Sequence, residues 1–269
     1  MRQILLDGSP SRILVDSALD PGLIWASAIL VTLFTALHLA RRHGLSTSAT
    51  LWAAMFGVCG AILGGSAWTV AFGATRQTFD VASILGSPKS VLGAIVGAGT
   101  VGALYLRTRR LPVLKYADAT VAAAFLGYAV ARVGCFINGC CFGIPTELPW
   151  GVRYPATTKI FATQLAEGYV QDGAAATLPV HPTQLYQAAL GFVGFVLLMR
   201  ISDVRRGTRL ATALVMYGAA RFFIEFLRGD SARIVGGLDL NQFACLMMVL
   251  TGMAVWAARP VTLPHTVVA

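Results

Sequence analysis

Charged residues are scarce in this sequence: 12% of its 269 residues are Asp, Glu, Lys or Arg, while 56% are apolar. Soluble domains carry roughly 25% charged and about half apolar residues, so water is not the solvent for most of this chain. Carboxylates are rarer than cations, 12 against 21, and the formal net charge is +9. No basic patch interleaved with aromatic residues accompanies that excess, which removes nucleic acid as a partner. The cations suit loops that face anionic lipid headgroups. The first twenty residues lack a hydrophobic centre and include Asp7, Asp16 and Asp20. That is not the composition of a cleavable signal peptide, so the first apolar segment is the expected targeting signal. Internal repeats and low-complexity stretches are missing too, and a single membrane domain over 1–269 is the expectation.

What is present is a series of apolar segments, near 21–40, 49–74, 90–106, 118–137, 183–200, 209–228 and 240–258. A bilayer core takes about 20 apolar residues per helix, so the expected fold class is an all-α integral membrane protein, a bundle of seven transmembrane helices. The third segment is short and holds Gly93, Gly97, Gly99 and Gly102, small residues that let helices approach closely. The connections alternate in charge. Those on one side carry eleven Lys and Arg with Asp118 and Asp203, a net +9, and those opposite carry eight with nine carboxylates, a net −1. Cationic loops are retained in the cytoplasm, which places the N-terminus outside and the C-terminus inside.

Connections are short except at 138–182, which contains Asn138-Gly139, Pro145, Pro149, Pro155, Pro179 and Pro182. Turn residues at that density break helices, and Trp150 to Tyr154 alternates as a short strand does. Long connections in compact proteins are more often functional than idle, so a small head region is expected here, on the outer side.

An ionisable residue inside a span costs about 2.5–3.5 kcal/mol and usually faces a cavity or a partner. Tyr217, Arg221, Glu225 and Arg228 fall on one helical stripe, with Arg221 and Glu225 spaced to pair. That spacing fits a structural ion pair as well as a functional one. Arg228 has no obvious partner in sequence and stands at the expected outer helix end, where snorkelling is an ordinary use of Arg. In the fourth segment Arg132, Cys135 and Gly139 share a face, and the helix should stop at Asn138-Gly139. An Arg facing a turn rich in glycine, here Gly139 and Gly143, presents its planar fork to a phosphate, with backbone N–H groups assisting.

Residues 131–146 read Ala131-Arg132-Val133-Gly134-Cys135-Phe136-Ile137-Asn138-Gly139-Cys140-Cys141-Phe142-Gly143-Ile144-Pro145-Thr146, followed by Leu148-Pro149-Trp150 and Tyr154-Pro155. A second motif reads His181-Pro182-Thr183-Gln184-Leu185-Tyr186-Gln187, and a third runs from Tyr217 through Arg221, Phe222, Glu225 and Phe226 to Arg228. In order and spacing these resemble the motifs of prolipoprotein diacylglyceryl transferases, over roughly residues 60–258. The resemblance implies a bacterial inner-membrane enzyme of lipoprotein biosynthesis. Such an enzyme moves the diacylglyceryl group of phosphatidylglycerol to the thiol of a lipobox cysteine and releases glycerol phosphate. The partners would be a phospholipid and a prolipoprotein or another acceptor, and no cofactor or metal is expected. By the same resemblance Arg132 and Arg228 hold the lipid phosphate, and Asn138, Gly139, Gly143, Gln184, Tyr186, Tyr217 and Arg221 complete the binding set.

Several positions depart from the family's pattern. Leu92, before Gly93-Ala94, stands where the family has a functionally important His, and Ser66, after Gly64-Gly65, where it has an Arg. Cys135 and Cys140 replace an Asn and a Glu of the signature, and a Tyr near the start of the first span is missing. These losses remove the obvious base, yet a thiol of pKa about 8.5 must lose its proton to react. His181, the one His near the outer side, is the expected base, with Glu225 in reserve; fixing the start of a helix ahead of Pro182 is an equally fitting role for it. Cys135, Cys140 and Cys141 sit together where oxidation persists. They fit a disulfide, a thiol nucleophile or, with His181, a metal site, and inert or disulfide-bonded thiols are expected over a metal. Cys59 and Cys245 lie mid-span and read as packing.

Two functions of different class remain in view: a diacylglyceryl transferase acting on prolipoproteins or another acceptor, and a catalytically silent lipid-binding paralogue. Retention of Arg132, Asn138, His181, Arg221, Glu225 and Arg228 favours the first, and Leu92 the second.

Overall fold

The computed structural model describes residues 13–14, 20–72, 90–201, 205–229 and 237–258. Of the charge count, Arg2, Arg12, Arg76, Lys89, Arg233, Arg259, Asp7, Asp16, Asp80, Asp203 and Asp230 lie outside the described residues, as do the last two positions of the second expected segment. The described residues form eight helices and two short strands. In chain order these are β1 (Ile13–Leu14), α1 (Pro21–Arg42), α2 (Thr47–Phe72), α3 (Val91–Thr108), α4 (Val113–Asn138), β2 (Val152–Arg153), α5 (Lys159–Ala166), α6 (Thr183–Arg200), α7 (Thr208–Glu225) and α8 (Leu240–Ala257). Each of the seven expected apolar segments carries a helix, the sixth only as far as Glu225.

Four helices among the described residues, α1, α2, α4 and α8, are long and apolar enough to cross a membrane. Helix α3 is equally apolar in character but shorter. Helix α6 opens on Thr183, Gln184 and Gln187, and α7 carries Arg209, Arg221 and Glu225, so polar groups set these two apart. Large apolar side chains stand outward, among them Leu30 and Phe34 of α1, Leu63 of α2, Phe223 of α7 and Leu250 of α8. Water penalises such a surface by about 25 cal/mol per Å², whereas hydrocarbon does not. Helices also satisfy their own backbone groups, as a span in lipid must. This is an all-helical membrane protein.

The chain divides into two compact units. One is assembled from 33–123, 198–215 and 246–269. In it α2 and α3 meet through glycines: a Cβ on Gly60, Gly64, Gly93 or Gly97 would lie 2.0–2.4 Å from a carbonyl oxygen of the other helix. The expected close approach of the short third segment is therefore present, and no larger residue fits it. The Asp118 carboxylate accepts hydrogen bonds from Gly207 N and, at 2.9 Å, from Leu210 N. A carboxylate of α4 thus stands at the positive N-terminal end of α7. Leu92 is buried, and the buried Ser66 hydroxyl donates to Ile62 O of its own helix at 2.9 Å.

The other unit takes 1–32, 124–197 and 216–245 and includes the expected head region. Residues 139–182 are ordered around a core of Phe142, Val152, Tyr154, Ile160 and Val180, with Phe136 of α4 packed against it. Val152 and Val180 exchange backbone hydrogen bonds of 3.0 and 2.9 Å, and β2 pairs in parallel with β1, Ile13 opposite Val152 and Leu14 opposite Arg153. The alternation at 150–154 therefore does mark a strand. Helix α5, which the proline density concealed, buries Ile160, Phe161 and Gln164, and the Gln164 Oε1 accepts from Leu178 N at 2.8 Å.

Candidate functional site

Helix α4 ends at Asn138, as expected, because Gly139 turns into the left-handed region at φ +65°. Cys141 takes φ +59° without being glycine, a conformation that persists only where its surroundings enforce it. The enforcement comes from the first turn of α6. Thr183 Oγ1 donates to Cys141 O at 2.7 Å, and Gln184 Nε2 donates to Cys140 O at 2.7 Å and to Tyr154 Oη at 3.4 Å. The second motif thereby fixes the cysteine turn of the first.

The third motif joins by backbone pairing. Ile144 N donates to Leu227 O at 2.9 Å and Gly229 N to Phe142 O at 3.1 Å, while Gly143 N donates to His181 O at 3.0 Å and His181 N to Ile144 O at 3.1 Å. Gly143 sits in this seam: a Cβ there would meet His181 Cβ at 2.5 Å and Leu227 O at 2.8 Å. The same pairing corrects the expectation that Arg228 continues the polar stripe of its helix. Helix α7 stops at Glu225 and the next turn gives its polar groups to the signature loop, so Arg228 lies opposite Gly143 in an antiparallel bridge. The Phe226 and Leu227 spacing looks helical in sequence and carries no sign of that partner.

Arg132 is buried, with its guanidinium carbon 4.8 Å from the centre of the Tyr128 ring. Its charge is felt at Cys135, Cys141 and Tyr217. Among the described residues no carboxylate pairs with it. Tyr128 in turn donates to Gln187 Oε1 at 2.8 Å and meets Tyr217 edge to face at 5.5 Å. Gln184 Oε1 and Gln187 Nε2 are both buried without a hydrogen-bond partner. Buried polar atoms of that kind are rare in proteins and ask for a ligand or water. Tyr128 and Gln187 were missed in sequence, although Tyr128 stands one turn before Arg132 and Gln187 three residues after Gln184, on the same helical faces.

Arg221 and Glu225 form the expected ion pair, both buried. The other carboxylate oxygen of Glu225 accepts from Asn241 Nδ2 at 3.0 Å, and Asn241 also donates to Asp239 at 3.1 Å. Asp239 caps α8 reciprocally with Gln242, through Gln242 N to Asp239 Oδ1 at 2.7 Å and Asp239 N to Gln242 Oε1 at 3.0 Å. Both oxygens of Glu225 are therefore engaged, which suits a structural anchor better than a free base.

His181 stands just before α6, half-buried, and burial lowers its imidazole below the ordinary value of 6.5. Its Nδ1 lies 3.3 Å from Tyr186 Oη, which accepts from Trp150 Nε1 at 2.8 Å. Cys135, Cys140 and Cys141 are free thiols, not disulfides, and their sulfurs all lie within 4.8 Å of one another. Cys245 is buried, as a packing residue should be, whereas Cys59 is on the exposed face of α2. A cavity of about 430 Å³ lined by Val215, Met253, Trp256 and Ala257 is apolar and holds none of the residues named for the site.

The comparisons agree with this assembly of motifs. A family model described as prolipoprotein diacylglyceryl transferase matches residues 21–258. The phosphatidylglycerol–prolipoprotein diacylglyceryl transferase of Clostridium tetani (strain Massachusetts / E88) is 29% identical over 239 residues, 87% of this chain and 90% of the relative. The protein of the same name from Geobacillus kaustophilus (strain HTA426) is 28% identical over 88% of this chain and 87% of its own length. That from Bordetella bronchiseptica (strain ATCC BAA-588 / NCTC 13252 / RB50) is 30% identical over 76% of each.

Proposed function

The chain belongs to the prolipoprotein diacylglyceryl transferase family, and on that premise we propose that it moves the diacylglyceryl group of phosphatidylglycerol to the cysteine thiol of a prolipoprotein lipobox in the bacterial inner membrane. The observation that carries the reading is Arg132: a buried guanidinium set against the Tyr128 ring, with no carboxylate pairing with it among the described residues. A buried charge without a counterion is costly unless an anion arrives with the substrate. Arg228 is the second cation of this reading, since its bridge to Gly143 sets it against the signature loop that follows the helix of Arg132. The two guanidiniums hold the lipid phosphate. As the acceptor thiolate attacks the glyceryl methylene carbon, the carbon–oxygen bond to phosphate breaks and charge builds on the departing oxygens, where fixed cations in a dry site stabilise it. Asn138, Gly139, Gly143, Gln184, Tyr186, Tyr217 and Arg221 shape the headgroup site around them. Incubation of the purified protein with phosphatidylglycerol and a lipobox peptide should release glycerol phosphate. Release from lipid alone, without peptide, would mark a hydrolase instead, and no release with any thiol or hydroxyl acceptor would mark a silent lipid-binding protein.

His181 is the general base of this reading. With Nδ1–H directed at the Tyr186 oxygen, Nε2 keeps its lone pair. Replacing His181 by Gln lowers turnover by about 10²–10⁴ and leaves folding nearly unchanged. Because burial holds the imidazole down, it stays unprotonated to lower pH than usual. The acid limb of the parental rate profile should therefore lie below pH 6.5 and be missing from His181→Gln. An unchanged rate in that variant would remove His181 from the chemistry.

Helices α1, α2, α3, α4, α6, α7 and α8 are the seven spans of a single membrane domain, with the N-terminus outside and the C-terminus cytoplasmic. The charge asymmetry of the connections supports that orientation. Cysteines introduced one at a time between Arg107 and Arg110 should resist impermeant reagents in intact cells and react after permeabilisation. Labelling in intact cells would invert the orientation.

A further inference from the structure

We propose that Cys135, Cys140 and Cys141 form a three-thiolate site for a zinc-class divalent ion, whose open fourth position takes up the acceptor's thiol. The metal site stands on this chain's geometry alone, and only its use by the acceptor rests on the transferase reading above.

Two observations carry the site. The three sulfurs lie within 4.8 Å of one another. Sulfurs sharing one zinc ion at about 2.3 Å are about 3.8–4.0 Å apart, so closing on an ion needs shifts of an ångström or less. The backbone is also built to keep the sulfurs together: Cys141 is held in the left-handed region while Thr183 and Gln184 fix the carbonyls of Cys141 and Cys140. Cys140 N donates to Cys135 O at 3.2 Å, which folds the turn back over the helix end.

A disulfide uses this arrangement less well. Three thiols leave one over, and adjacent Cα atoms about 3.8 Å apart fall short of the usual span of a bridge, about 4.4–6.8 Å, so Cys140 and Cys141 are a poor pair. Three thiolates and a divalent ion carry one net negative charge, which the buried Arg132 offsets. Three protein ligands and an open position are also the form of catalytic rather than structural zinc.

The open position meets a need that the missing histidine at Leu92 creates. A thiol that binds the ion would give up its proton, with His181 as the acceptor in the reading above. The thiolate then forms a sulfur–carbon bond to the glyceryl methylene, and the carbon–oxygen bond breaks with its electron pair going to the phosphate. Glycerol phosphate leaves, with no change of oxidation state. The three cysteines are partly exposed, so an incoming thiol has access.

The test is metal content. Protein purified from membranes without chelator should hold one zinc per chain by elemental analysis. Cobalt exchanged into it should give a thiolate-to-cobalt charge-transfer absorption, a signature that packing cysteines do not produce. Cys135→Ser, Cys140→Ser and Cys141→Ser should each reduce the metal to background, while Cys59→Ser retains it. The metal ratio and cobalt spectrum of the parental protein decide the site even where a variant fails to fold. Metal-free protein after zinc loading, with Cys135, Cys140 and Cys141 all modified by maleimide or a Cys135–Cys140 disulfide found by mass, overturns the site. A chelated protein that still releases glycerol phosphate at the full rate overturns the acceptor role and leaves the transferase reading intact. Stoichiometric zinc in a protein that transfers nothing refutes the transferase reading and leaves the site standing.

Discussion

Replacing Arg132 by Ala is expected to lower glycerol phosphate release by about 10³-fold, the loss typical of removing one fixed charge-stabilising donor from a dry site. Arg132→Lys recovers only part of it, because an ammonium offers a point charge where the guanidinium offers a planar fork to the phosphate oxygens. Stability should move the other way. Arg132 is buried with no carboxylate partner among the described residues, so its removal strands no opposite charge and relieves a desolvated one. A folded, equally or more stable and nearly inactive variant is thus expected, with turnover read by glycerol phosphate and folding by thermal unfolding in detergent. Loss of folding together with activity would make Arg132 a structural residue.

The second large effect falls on the neighbouring charges and has the opposite signature. Glu225→Leu leaves Arg221 buried without its carboxylate, and breaking a buried pair from one side costs about 3–5 kcal/mol. Asn241 loses an acceptor as well. The unfolding midpoint should fall sharply. Changing Arg221 to Met in the same protein removes the stranded charge and should restore most of the loss, since apolar replacement of a whole buried pair is often neutral or stabilising. A single variant as stable as the parent would mean that water or lipid reaches the pair.

The contrast between these two arginines bears on what a single sequence can reveal. Arg221 and Glu225 are four residues apart on one helix, a local relation that spacing alone exposes, and the structure has them paired. The helical segments were equally legible because apolar runs of span length leave few alternatives to a helix in lipid. Arg228 was legible as a residue but not in its placement. Its position depends on Leu227 and Gly229 pairing with Ile144 and Phe142, a relation across some eighty positions of sequence that no periodicity encodes. The same holds for β1, which exists only by pairing with β2, and for α5, whose eight residues stand among prolines. For the cysteines, sequence placed Cys140 and Cys141 near Cys135 but left their state open, because the left-handed turn at Cys141 and its tie to Thr183 are tertiary facts.

In the proposed reaction Arg132 and Arg228 hold a phospholipid while a thiol displaces its phosphate. This reaction is tested most directly by the mass of a lipobox peptide after incubation with the purified protein and phosphatidylglycerol of defined acyl chains. The account predicts a gain equal to the diacylglyceryl group, located on the cysteine sulfur, with one glycerol phosphate released for each peptide modified and neither product formed by Arg132→Ala. A peptide of unchanged mass, in the presence of protein that binds the lipid, would contradict it.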